Sequence, residues 1–175
     1  MLNTRTYSLI AFILLVSLYR IVPHLPNFTP VLAMALFSGA HFSDRRVALL
    51  VPMLCMLFAD LIIGFHSTVL FVYLSIALLV FAGEWLQTRK TLAYTLAAAV
   101  FGSVTFFIIT NFGAWLSLPG FYPRSVAGLL EAYIAAIPFY QNTLVSTLFF
   151  CGVLFGGIRV LEHYYPRLVL ANNRS

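Results

Sequence analysis

Charge is what this 175-residue chain has least of: charged residues make up 9% of it, ten basic against five acidic. Soluble domains carry about 25%. The five acids are scattered, which leaves no paired carboxylates for acid–base work. Glu84 and Glu162 stand beside basic residues as expected interfacial ion pairs, and Glu131 reads as a solvated position. Two cysteines, Cys55 and Cys151, both fall inside apolar runs and make no disulfide framework. Four histidines with none at i,i+4 spacing, and no CxxC or HExxH pattern, argue against a conventional zinc or nickel cage. GxSxG, P-loop and GxGxxG motifs are absent, which removes the usual routes to hydrolysis, ATP coupling and dinucleotide binding. No Ser/Gly-rich linker divides the chain, so residues 1–175 read as a single domain.

Apolar residues, in contrast, are abundant, at 62% with a mean hydropathy of +0.97. The runs separate at polar punctuation into expected helices at 7–22, 29–42, 47–65, 68–82, 91–118 and 139–161. The fold class expected is an all-α integral membrane protein with six transmembrane helices. The first two are short for a bilayer. A seventh apolar segment, 125–137, lies between Pro123 and Pro138 and reads as a half-span or surface helix. The first apolar run follows Arg5 but ends in Tyr19 and Arg20 without a small-residue cleavage pattern, so it reads as a span and not a secretory leader. Eight basic residues (Arg5, Arg45, Arg46, Arg89, Lys90, Arg159, Arg167 and Arg174) fall at the N-terminus, the even-numbered connections and the C-terminus. Only Arg20 and Arg124 lie on the other side. The positive-inside rule then puts both termini in the cytoplasm. The pI near 9.5 is a topology signal, and no nucleic-acid partner is expected.

Polar residues within this frame gather on the outer side: Arg20, His24, Asn27, His66, Tyr122 and Arg124, with Asp60, Asn111, Trp115, Tyr140, Gln141 and Asn142 at outer-half depth. Such a set suits a ligand cavity between helices. An ionisable group inside a span is costly, so Asp60 is a functional candidate by default. The loop VPHLPNFTP at 22–30 holds three prolines and is stiff. It either caps a cavity, presenting His24 and Asn27, or simply connects, with Thr29 capping the next helix. Cys55 has three readings: a small packing residue, a soft metal ligand, or an axial ligand to a metal held by a macrocycle. Cys55 and Asp60 lie about 140° apart around a helix, so one small ion cannot bridge them. Small-residue pairs at Gly152/Gly156, Ala35/Gly39 and Ala98/Gly102 permit close helix contact.

The segments RIVPHLPNFTPVLAMALFSGAHF (20–42), FADLIIGFH (58–66), GSVTFFIITNFGAWL (102–116) and AIPFYQNTLVSTLFF (136–150) resemble the substrate-binding S-components of energy-coupling-factor (ECF) transporters. With a cysteine in a mid-chain helix, the chain looks most like the BtuM cobalamin-uptake group. The resemblance implies a six-helix bundle in the bacterial cytoplasmic membrane that captures cobalamin from outside, with Cys55 as axial cobalt ligand. It also implies possible cysteine-assisted decyanation of cyanocobalamin, which leaves enzyme status open, and no cofactor of the protein's own. Substrate-binding candidates are Cys55, Asp60, His24, Asn27, Arg124, Asn111 and Tyr140. An ECF energising module is the implied partner, although the AxxxA pattern of module-docking spans is absent from 7–22, which fits a solitary transporter. Two alternatives are carried: an S-component-like transporter for another vitamin or a bare transition-metal ion, and a non-transport membrane assembly protein using its GxxxG faces.

Overall fold

A computed structural model describes residues 4–89, 91–118 and 120–165. Expectations resting on Lys90, Arg167 and Arg174 lie outside the described residues. The chain is helical, with no β-strand among the described residues: α1 (Thr4–Ser17) followed by a 3-10 turn (Leu18–Ile21), α2 (Val31–His41), α3 (Arg45–Ile63), α4 (Val69–Trp85) with a 3-10 turn (Leu86–Thr88), α5 (Leu92–Ser117), and α6 (Val126–Cys151), which passes through a π-helical turn (Gly152–Gly156) into α7 (Gly157–Tyr164). Local chemistry sets several of these starts. The Asp44 carboxylate accepts from the Arg46 N–H to cap α3, and the Thr91 and Ser125 hydroxyls accept at the starts of α5 and α6. Thr29 does not cap α2. Pro30 occupies the cap position, and no side chain bonds the first turn.

Five helical segments are long and apolar enough to cross a membrane, the construction of a multi-pass membrane protein. The exception is α2. Its 11 residues advance about 16 Å, against about 28 Å for the 19 of α3. Every residue from Val31 to Ala40 is buried, so α2 is the pillar of the core and not a perimeter helix. The expected break before Pro138 is also corrected: α6 runs through that proline, and the apolar segment 125–137 joins the last span in one 39-residue helix, Val126–Tyr164. A proline removes one hydrogen bond without ending a helix that its neighbours hold in place.

Polar contacts sort the helix ends into two groups. One end gathers the start of α1, the ends of α2 and α4, the start of α3, and α7: Arg5 reaches the His41 carbonyl and Glu162, Arg45 pairs with Glu84, and the Gln87 amide donates to the Gly39 and Phe42 carbonyls. The other end, the mouth, holds Arg20, His24, Asn27, His66 and Arg124. The two sets are the ones that the spacing of polar residues along the chain separates.

Helix α2 meets α4 at backbone distance. A Cβ added to Gly39 would lie 2.0 Å from the Val80 carbonyl oxygen, and one added to Gly83 would lie 2.3 Å from that of Leu36. Gly102 packs on Leu79, whereas Gly152 and Gly156 face open space. The GxxxG of the last helix is therefore not an internal packing seam.

Pro52 lies inside α3 and leaves the carbonyl of Ala48, four residues earlier, without its helical donor. The Ser38 hydroxyl of α2, fully buried, donates to that oxygen at 2.6 Å. Ser38→Ala is expected to cost about 1–3 kcal/mol, the penalty of an unsatisfied buried acceptor. In a Pro52→Ala background, where the N–H returns, the same substitution is expected to cost much less. Thermal unfolding of the four proteins in one detergent checks the cycle.

Candidate functional site

Two charged groups meet where the turn after α1 touches α3. The Asp60 carboxylate is 0% exposed; its Oδ1 accepts from Arg20 Nη2 at 2.9 Å and its Oδ2 from the Tyr73 hydroxyl at 3.1 Å. A carboxylate in an apolar bundle is tolerated only when paired and hydrogen-bonded, and this one is both. Arg20 spends one N–H on Asp60 and remains 17% exposed, and its Nε is buried with no protein partner.

Arg20 also forms part of the wall of a cavity of about 450 Å³ at the mouth. Its wall draws on every helix from α2 to α6. The turn after α1 and the proline-rich loop supply Arg20, His24, Asn27 and Thr29; α2 supplies Val31 and Leu32; α3 supplies Met56 and Ile63. His66 and Thr68 come from the α3–α4 connection and Val72 from α4, while α5 gives Phe106, Thr110, Asn111 and Ala114 and α6 gives Thr143 and Ser146. The lining holds one guanidinium, two imidazoles, amides and hydroxyls, and no carboxylate. His24 Nδ1 donates to the Val22 carbonyl at 2.6 Å, and His66 Nδ1 lies 2.9 Å from the Thr68 hydroxyl. The proline-rich loop is fixed on α6 by Asn142, which donates to the Pro26 carbonyl, while the Ser146 oxygen lies 3.4 Å from the Asn27 carbonyl. Asn27 has a positive φ of 61°, a conformation asparagine tolerates better than most residues. The loop thus serves both as connector and as cavity wall.

A second cavity of about 280 Å³ adjoins the first between α5 and α6, and the two share Asn27, Phe106, Thr110, Asn111 and Thr143. Its far side is aromatic, with Phe107, Phe139 and Tyr140. The rings of Phe107 and Tyr140 lie 5.2 Å apart, edge to face.

Of the seven sequence candidates, His24, Asn27 and Asn111 line the main cavity, Tyr140 lines the second, and Asp60 stands behind Arg20. Two fall elsewhere. Arg124 donates to the Leu116 carbonyl and lies over the Trp115 ring, tying the α5–α6 connection together. Cys55 is buried in the apolar core and lines neither cavity, although its neighbour Met56 does, about 100° further around the helix. No group of three His, Cys, Asp or Glu that could hold a metal ion exists among the described residues. The hydroxyls of Thr143 and Ser146, and Tyr73 behind Asp60, were not legible as site residues. Thr143 and Ser146 satisfy themselves on carbonyls of their own helix, the ordinary state of such residues in apolar helices.

The profile of a family described as a family of unknown function (DUF6580) matches residues 1–168. No curated protein and no solved structure matches the chain.

Proposed function

We propose that this chain, which belongs to the DUF6580 family, is a membrane uptake protein of the S-component kind that binds a small organic molecule in the mouth cavity. The observation that carries this reading is the cavity itself, of about 450 Å³, whose wall is assembled from five helices and two of the connections at the mouth, α1–α2 and α3–α4. Sites of this size with an apolar body and a few convergent polar groups are the usual form of small-molecule sites. In this reading the chain crosses the bacterial cytoplasmic membrane six times, with the Arg5, Arg45 and Arg89 end inside and the mouth outside. The energy source is an ECF module or none, and lipid is the surrounding partner.

The corrinoid form of the reading requires the Cys55 sulfur to meet a cobalt ion at the ligand site. Because Cys55 is 5% exposed and off both cavity walls, the cavity favours a smaller ligand held by Arg20, His24, Asn27 and Asn111. The bare-metal form has two histidines at the cavity and no third donor of the usual kind beside them among the described residues.

Purification of the full chain in mild detergent, followed by mass spectrometry of released small molecules, tests the reading. The expected result is one organic molecule at near-stoichiometric occupancy, lost from Asn111→Leu, which keeps the branched shape of the side chain and removes the amide. Retention by Asn111→Leu, or no ligand-dependent stabilisation by any small molecule, overturns it. A red preparation whose corrin absorption changes on Cys55→Ala would assign the corrinoid instead.

A further inference from the structure

The two cavities adjoin and share part of their walls. Asn27, Phe106, Thr110, Asn111 and Thr143 face both spaces, so an occupant of one is in reach of the other. The lobes differ in chemistry. In the first, Arg20 lines the wall, keeps 17% of its side chain exposed and makes a single carboxylate bond, so N–H groups at the end of its guanidinium remain for an incoming oxygen. The start of α2 opens into the same lobe through Val31 and Leu32, its first-turn N–H groups uncapped by any side chain, which adds a positive end. No acid lines the lobe to oppose an anion, and Asp60 is already engaged by Arg20 and Tyr73. The second lobe has no charged lining residue, and its outer side is built of Phe107, Phe139 and Tyr140. A planar ring is the group such a wall accommodates best, edge-on or offset against the aromatic faces.

We propose, resting on the uptake reading above, that the ligand joins an oxyanion, most simply a carboxylate, to a planar ring. The oxyanion is held by Arg20 and the open end of α2, and the ring lies between α5 and α6 against Phe107 and Tyr140. Asn27 and Asn111, which border both lobes, hydrogen-bond the linking portion. A charge-assisted bond from a guanidinium is about twice as strong as a neutral one, so the acid is separated from its amide at the first lobe and the ring is selected at the second.

The test uses the full chain in detergent and three pairs of probes: benzoate and benzamide, phenylacetate and phenylacetamide, indole-3-acetate and indole-3-acetamide, with acetate as the ringless control. At least one aromatic acid is expected to raise the unfolding temperature, with an affinity about tenfold or more above that of its amide, while acetate has no effect. Tyr140→Ala is expected to lose the shift and Tyr140→Phe to keep it; the second variant separates loss of the ring contact from loss of fold. Equal response to acids and amides, a shift preserved in Tyr140→Ala, or no response to any acid overturns the ligand class. If the chain still copurifies with a different molecule that depends on Asn111, the uptake reading survives that failure. Absence of any bound molecule would remove both.

Discussion

Arg20→Leu is expected to be among the most damaging single substitutions in the chain, lowering stability by about 3–5 kcal/mol. The loss comes from what it leaves behind: Asp60, 0% exposed, would keep only the Tyr73 hydroxyl as a partner and would have to ionise in an apolar bundle or take up a proton. Asp60→Asn is expected to cost less. It preserves the shape and an acceptor for Tyr73, and the orphaned guanidinium sits at the mouth, where it is partly solvated. The double substitution Arg20→Leu/Asp60→Leu removes both charges at once and is expected to recover most of the loss, because an apolar pair of similar volume avoids the desolvation penalty of a buried ion pair. Thermal unfolding of the four proteins in one detergent measures the coupling. A double variant that folds but no longer stabilises with ligand separates the structural duty of Arg20 from its part in the cavity. Single variants as stable as the parent would show that the pair carries no weight in the fold.

Gly39→Ala is expected to be comparably severe, for a steric reason. The added Cβ would stand 2.0 Å from the Val80 carbonyl oxygen and 2.8 Å from the Glu84 nitrogen, both backbone atoms of α4. Neither can rotate away as a side chain would, so α2 and α4 have to separate along their length. Overpacking ordinarily costs about 1–3 kcal/mol, and a collision with backbone on both sides lies at or above the top of that range. Gly83→Ala presses the same seam from α4, with 2.3 Å to the Leu36 oxygen, and is expected to behave alike. Gly156→Ala, which meets nothing within 4 Å, is the matched control and is expected to leave stability unchanged. The yield of monodisperse protein after size-exclusion chromatography, followed by thermal unfolding, distinguishes the three. Loss in Gly156→Ala equal to that in Gly39→Ala would point to a general intolerance of the last helix and not to the α2–α4 approach.

The hydropathy pattern made most helix positions legible, because each apolar run is long and is interrupted by a capping residue, a proline or a charge, as at Asp44, Thr91 and Ser125. It misled at Pro138, since a proline reads the same whether a helix ends there or passes through with support from its neighbours. It marked α2 as a short helix but not its place at the centre of the bundle. Eleven apolar residues buried on all sides have no polar face to reveal which way they point. The mouth set was legible in part: Arg20, His24, Asn27, His66 and Asn111 do converge. Separation along the chain cannot say that Arg20 would find Asp60 forty residues away, or that Tyr73 would take the second oxygen. Cys55 stands out in the sequence by its chemistry, yet the helix turns its thiol into the core and gives the cavity wall to Met56 instead.

The brevity of α2 has a further consequence. Its neighbour α3 runs about a dozen ångströms longer, and α2 ends on one side level with the others, through the bonds from Arg5 and Gln87 to its last carbonyls. The shortfall is therefore taken at the Val31 end, where Val31 and Leu32 border the cavity of about 450 Å³. The chamber is in this sense a missing stretch of pillar, and its depth is set by how soon Pro30 lets the coil begin. Each residue added to the start of α2 would raise the floor by about 1.5 Å, so the volume of the chamber is metered by the length of a segment buried along Val31 to Ala40.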